Sequence, residues 1–270
     1  MSGDRGTSPA MGMARFTLRV QDTNLEVSAE LPEGPVLPAV LLPVLQNLSN
    51  SMTELVTRRA GRAGERISCS AGCGACCRQA VPISPVEARE IAQWLGEQEA
   101  GRQAELRERF RAAVRRLEEA GIAQRLRESS RMESREAAHA LGSQYFSLGI
   151  ACPFLEEESC SIHEIRPLRC REYLVVSPAE HCAHPETLQI VNVKPPVLLS
   201  RILERWDASG DAKEPELLLL AMLEEWMEKH PAEEDAAHRT APELLQDFLR
   251  AFAKDAAAPA DAKGSPEMPA

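Results

Sequence analysis

The sequence predicts a mostly α-helical fold: a helical domain with an N-terminal β-hairpin and an irregular, cysteine-rich centre stapled by metal. Three observations predict it. Apolar residues recur at i, i+3 and i+4 through several long stretches, whereas strict alternation is confined to the region near the N-terminus. All eight cysteines fall in two groups, Cys69 to Cys77 and Cys152 to Cys182. The segment between Ile150 and about Pro196 has neither period and is short-stranded and irregular.

Residues 1–13 are small and polar and read as disordered, with no apolar run of a signal peptide. Phe16–Val20 alternates apolar and polar residues, and Leu25, Val27, Ala29 and Leu31 repeat that period of two, with turn residues Gln21–Asn24 between them. This is the pattern of a hairpin. A helix is predicted from about Pro43 to Arg59, with Val44, Leu45, Leu48, Met52, Leu55 and Val56 on one face. Gly61 and Gly64 end that region, which spans 14–66.

Ser84, Pro85 and Glu87 form a helix start, with a capping serine, a first-turn proline and a glutamate three residues on. A charged helix follows from about Arg102 to Ala120, striped by Leu106, Phe110, Val114 and Leu117. Its arginines interleave with Glu105, Glu108, Glu118 and Glu119, which reads as a solvated, ion-paired face. Helices are expected again over 196–206, 215–229 and 242–254, each opened by a proline. The central region is taken as 67–194, the C-terminal helices as 195–254, and 255–270 as a disordered tail.

A net charge of −10 argues against a nucleic-acid or anionic-membrane partner, since both select basic faces. The longest apolar stretches, such as Leu217–Leu223, are too short to span a bilayer. A reducing cytoplasm is the expected location, and there clustered thiols point to metal rather than to disulfides.

The first group reads Cys69-x3-Cys73-x2-Cys76-Cys77, with Gly72 and Gly74 allowing tight turns around Cys73. The second supplies Cys152, Cys160, Cys170 and Cys182 at wider gaps. Soft thiolates at such spacing suit zinc or an iron–sulfur cluster, and Pro153 after Cys152 tilts the expectation toward iron. Adjacent side chains diverge, so Cys76 and Cys77 serve different metals or irons, or one is a spectator. The simpler reading is a single closed four-cysteine zinc site with the other thiols buried as small hydrophobes. Arg166, Arg169 and Arg171 surround Cys170 and are expected to offset thiolate charge around the cofactor, or to pair with Glu156, Glu157, Glu158 or Glu164. His163, His181 and His184 lie near cysteines and are read as outer or surface residues, with His181 the one best placed to replace a ligand.

Cys69-x3-Cys73-x2-Cys76-Cys77, then Cys152-Pro-Phe-Leu, Cys160-x-Ile-His163 and Arg166-Pro167-x2-Cys170-Arg171-x-Tyr173, resembles the YkgJ-type cysteine-cluster family, a zinc- or iron-chelating domain. The likeness spans about 67–182, and the first gap is one residue longer than in the family motif. Some relatives are named flagellin lysine N-methylases, so the resemblance implies methyl transfer from S-adenosylmethionine as one alternative. The residues themselves show no glycine-rich loop after a strand to hold that cofactor. Cys69-x3-Cys73-x2-Cys76 has the spacing of radical S-adenosylmethionine enzymes, but the alternating strands of their barrels are missing from the pattern. The leading expectation is a cytoplasmic protein binding zinc or iron–sulfur through both groups. Its rivals are a methyl-transfer or redox enzyme and a zinc-shaped module that captures a protein partner.

Overall fold

A computed structural model describes residues 10–128, 134–206, 218–231 and 238–257. The fold is mostly helical, with an antiparallel hairpin at its N-terminal end and the cysteines at its centre. Strands β1 (Met11–Val20) and β2 (Thr23–Pro32) pair in register from Val20↔Thr23 out to Met11↔Pro32. The link is only two residues long, and Gln21 takes φ +53°, the left-handed geometry that closes such turns. Met11–Met13 therefore belong to a strand rather than to a disordered leader. Backbone pairing carries them, since Met11 and Met13 themselves remain exposed. Residues 1–9 lie outside the described residues.

Short strand β3 (Pro35–Val36) leads into α1 (Leu42–Arg62), which buries Leu45, Leu48, Met52 and Val56 along one stripe. Gly64, at φ +81°, turns the chain out of this helix, and the Glu65 N–H returns to the Ala60 carbonyl at 2.9 Å. Strand β4 (Pro82–Ile83) precedes α2 (Pro85–Gly96), whose capping box is complete: Ser84 Oγ accepts from Glu87 N–H, and Glu87 accepts from Ser84 N–H at 2.9 Å. Helices α3 (Ala100–Glu119), α4 (Ala123–Arg127) and α5 (Arg135–Ser147) follow. Helix α5 had no counterpart among the predicted elements. It is capped by Ser134 and buries Ala138, Leu141 and Tyr145, a sparse stripe in a polar segment.

The central segment supplies a hairpin, β5 (Leu155–Glu156) with β6 (Ser159–Cys160), and one helical turn, α6 (Leu168–Glu172). Helix α7 (Leu199–Arg205) begins later than the proline at 196 suggested, because Leu198 is still extended. Over 218–229 the single predicted helix is replaced by β7 (Leu218–Leu219), a 3-10 turn and α8 (Leu223–Lys229). Strand β7 pairs with β4, Leu218 opposite Ile83, so a continuous apolar run fills a two-sided interior instead of one helix face. Strand β8 (Arg239–Thr240) pairs with β3 and precedes α9 (Ala241–Ala257), which takes in the first residues assigned to the tail. The rest of that tail, from 258 onward, lies outside the described residues.

Three apolar cores result. The first joins the N-terminal hairpin, α1, α7 and α9; the second joins the end of α3 with α4, α5 and Met222. In the third, Phe154 packs edge-on against Phe110 and Trp94, and Cys152 and Cys160 lie against its margin. The strand pairs named here are all antiparallel. Among the described residues, no helix is long and apolar enough to cross a membrane.

Charges on α3 do more than face solvent. Arg115 and Glu108 form a surface pair, but Arg107 and Arg111 reach Glu224 of α8, whose side chain is only 5% exposed. Arg102 and Arg109 both hold Glu156 on the β5–β6 hairpin. The interleaved pattern therefore anchors the hairpin that carries Cys160.

Candidate metal centre

The two cysteine segments are bound to each other through their backbones. Cys152 N–H donates to the Cys77 carbonyl at 2.7 Å, and Ser68 N–H, beside Cys69, donates to the Val175 carbonyl at 2.9 Å. Val176 and Val193 N–H continue that ladder to Val191 and Leu174. Cys76 and Cys77 ride on a 3-10 turn, Ala75–Arg78, which packs against a second turn, Ala179–Ala183, that carries Cys182.

Gly74 marks the closest approach. A Cβ placed there would lie 2.5 Å from a Glu158 carboxylate oxygen, 2.7 Å from a Leu155 methyl and 3.2 Å from the Glu158 backbone. Only glycine lets the knuckle and the hairpin meet so closely. Gly72 serves differently, with φ +81° and open space around it, so it provides the turn before Cys73. Glu157 and Glu158 both take positive φ in the hairpin turn, a conformation that costs a non-glycine residue about 1 kcal/mol or more. Arg78 holds Glu158 there with two bonds, at 2.7 and 3.0 Å, while also donating to the Gly74 carbonyl.

Helix α6 is fixed from every side. Glu87, having closed the α2 capping box, accepts from Leu168 N–H at 2.8 Å with its other oxygen. Glu172 is buried and accepts from Leu199 N–H at 2.7 Å and Ser200 Oγ at 2.5 Å, so it caps α7. Arg169 makes a bidentate pair with Glu204, and Arg171 donates to the Arg166 and Glu164 carbonyls and to Asn50. Cys170 thus sits on a turn with almost no freedom left.

The arginines flanking Cys170 accordingly differ in placement. Arg169 pairs with Glu204, away from the glutamates near it in sequence, and Arg171 knits backbone together. Arg166 is the one whose charge acts on the most of these thiols, opposing the rise that burial and neighbouring thiols impose on Cys76, Cys160 and Cys170. Its Nε is buried with no hydrogen-bond partner among the described residues. It also holds His163 below the usual imidazole range. His181 is committed to the Gln189 carbonyl at 2.7 Å, and His184 stands exposed beside Glu186.

The eight cysteines are free thiols, Cys69 exposed and Cys182 buried. Backbone donors already point at several sulfurs: Phe154 N–H at Cys152, Ile162 N–H at Cys160 and Val175 N–H at Cys69. Tyr173 O–H donates to Cys182. Such donors favour the thiolate, the form that binds metal. Against them, burial pushes the Cys152 thiol up to about 12 and the Cys170 thiol well above its ordinary range. A hydrogen bond shared with Cys77, with burial behind it, raises Cys76. A soft cation would offset that burial by stabilising the thiolates. Among the described residues, no three His, Cys, Asp or Glu side chains stand together as an ion site.

Residues 68–189 match the family model CxxCxxCC, described as "Putative zinc- or iron-chelating domain". That stretch, a little under half of the chain, is similar to this family. No curated protein and no solved structure matches the chain. The matched stretch holds all eight cysteines, the β5–β6 hairpin and α6. The flanking helices, outside it, contribute Glu204, Ser200 and Asn50 to its support. Sequence reasoning missed Glu87 and Glu172 as supports of the site, and read Gly74 as a turn former rather than as a point of close approach. The capping-box pattern around Glu87 was visible, but its second oxygen's partner lies 81 residues away.

Proposed function

We propose that this protein binds zinc or an iron–sulfur centre through cysteines of both groups acting together, in the cytoplasm. The observation that carries the reading is the direct backbone union of the two segments, Cys152 N–H to Cys77 carbonyl at 2.7 Å, with Cys170 feeling Cys152, Cys76 and Cys160 as neighbours. Thiolates suit either metal. Cys152, Cys160 and Cys170 with Cys76 would hold it from one side and Cys69, Cys73 and Cys182 from the other, while Arg166 offsets their negative charge. The bound metal supplies the cross-link between the cysteine segments, and the chain's own residues orient the sulfurs and exclude water around Cys170.

Metal and acid-labile sulfide analysis on anaerobically purified protein tests this and separates zinc from iron–sulfur. Cys73→Ser and Cys170→Ser, taken from opposite groups, should each lower metal content. Full metal retention in both variants would refute the joint site.

A further inference from the structure

From the unpaired outer edge of β1, we infer that two copies of this chain associate by laying their β1 strands antiparallel across a two-fold axis at Phe16, joining two hairpins into one four-stranded sheet. The inference stands independently of the metal site. Strands β1 and β2 are each 10 residues long, beyond the usual length of about five or six, and among the described residues no third strand joins them. Helices α1 and α9 pack against β2. The inner face is covered unevenly: Leu18, Val20 and Leu31 are buried, whereas Ala14, Phe16, Leu25 and Val27 are only partly so. A two-stranded ribbon is marginal by itself, and further strands sharing one apolar face stabilise it.

The register fixes which groups the edge presents. Glu33 N–H donates to the Ala10 carbonyl at 2.7 Å, in step with the pairing of β1 and β2. Ala10 and the even-numbered residues of β1 therefore bond to β2, while Met11, Met13, Arg15, Thr17 and Arg19 turn their N–H and C=O groups outward. Edge strands are normally blunted by proline, lysine or a bulge. Strand β1 has neither residue, and its register runs unbroken from Val20 to Met11. Few self-pairings serve. With Arg15 or Thr17 on the axis, Arg15 faces the partner's Arg15 or the partner's Arg19, a like-charge contact that destabilises. An axis at Ala14 pairs only Met11 to Thr17 of the strand, against Gly12 to Val20 for an axis at Phe16. At Phe16 that ring meets its own copy, Ala14 faces the partner's Leu18 and Gly12 the partner's Val20, so small residues meet large ones already buried in the first core. On the outer face Arg15 lies opposite the partner's Thr17, and Met13, 52% exposed, lies along the stem of the partner's Arg19.

Sedimentation velocity on the full chain, from low to high micromolar concentration, tests this. Salt of about 0.15 M confines the repulsion between two chains of net charge −10 to about 8 Å. The expected result is a mass that rises with concentration from one chain toward two. Thr17→Pro removes an outward N–H while sparing the bonds to β2, so it should abolish the rise with far-UV circular dichroism unchanged. Ser28→Pro, on the opposite edge of the same hairpin, is the control and should associate as wild type does. Met13→Lys sets a cation against the partner's Arg19 twice per dimer and should weaken association about tenfold. If circular dichroism shows the hairpin disturbed in Thr17→Pro, the wild-type and Met13→Lys isotherms decide alone. A wild type that stays monomeric, whatever other peptide its edge accepts, overturns the inference. A folded Thr17→Pro chain that still dimerises, or a dimer lost in Ser28→Pro, does the same, and unchanged association in Met13→Lys overturns the axis at Phe16.

Discussion

Gly74→Ala tests whether the cysteine knuckle and the β5–β6 hairpin are pressed together as tightly as the structure shows. The added methyl would sit 2.7 Å from a Leu155 methyl and 3.2 Å from the Glu158 backbone, which cannot swing aside. Ordinary carbon contacts need roughly 3.5–4.0 Å, so the ends of the Leu155 and Glu158 side chains must swing away and the two backbones part by a few tenths of an ångström. Overpacking of this kind costs about 1–3 kcal/mol, and destabilisation of that size is expected. Urea unfolding of the metal-loaded chain measures it, and zinc competition should show weaker binding, because ligand distances tolerate only about 0.2 Å. Gly96→Ala is the control: nothing lies within 4 Å of its added methyl, and the change should be neutral or stabilising by up to about 1 kcal/mol. A Gly74→Ala protein within about 0.5 kcal/mol of wild type, with unaltered zinc affinity, would refute the close-approach reasoning.

Arg166→Gln should lower zinc affinity about 10–100-fold in a chelator competition while helicity is unchanged, because the charge beside Cys76, Cys160 and Cys170 is lost. Arg169→Gln should do the reverse, costing about 2–3 kcal/mol in urea unfolding because Glu204, 11% exposed, loses its bidentate partner, with zinc affinity near wild type. Burial, reinforced by Glu87, holds the Glu90 carboxyl up at about 7, against an ordinary value near 4.5. The folded chain therefore keeps a proton that the unfolded chain releases, and this group's contribution to stability is lost as pH rises from about 4.5 through 7. Glu90→Gln should gain about 1–2 kcal/mol over wild type at pH 8 and little at pH 4.5, and an equal difference at both pH values would count against the assignment.

Much of the frame follows from local chemistry. The alternation of Phe16–Val20 and Leu25–Leu31 makes a hairpin whichever core it meets, and the Ser84–Glu87 box starts α2 without outside help. The stripes of α1, α3 and α9 are equally self-sufficient, since one amphipathic period selects one conformation. The cysteine grouping, too, announces a thiolate site, because few other purposes gather so many thiols so closely.

Tertiary structure decided what local patterns leave open. Leu218–Met222 is apolar without a period, so its choice of strand and 3-10 turn over helix waited for Ile83 to offer an edge. The division of labour among Arg166, Arg169 and Arg171 depended on where Glu204 and Asn50 arrive from distant helices. Each guanidinium could reach many carboxylates in sequence but only the one that folding delivers in space. The meeting of Gly74 with Leu155 and Glu158 is likewise a fact of packing between segments about eighty residues apart, where steric fit has no signature along the chain.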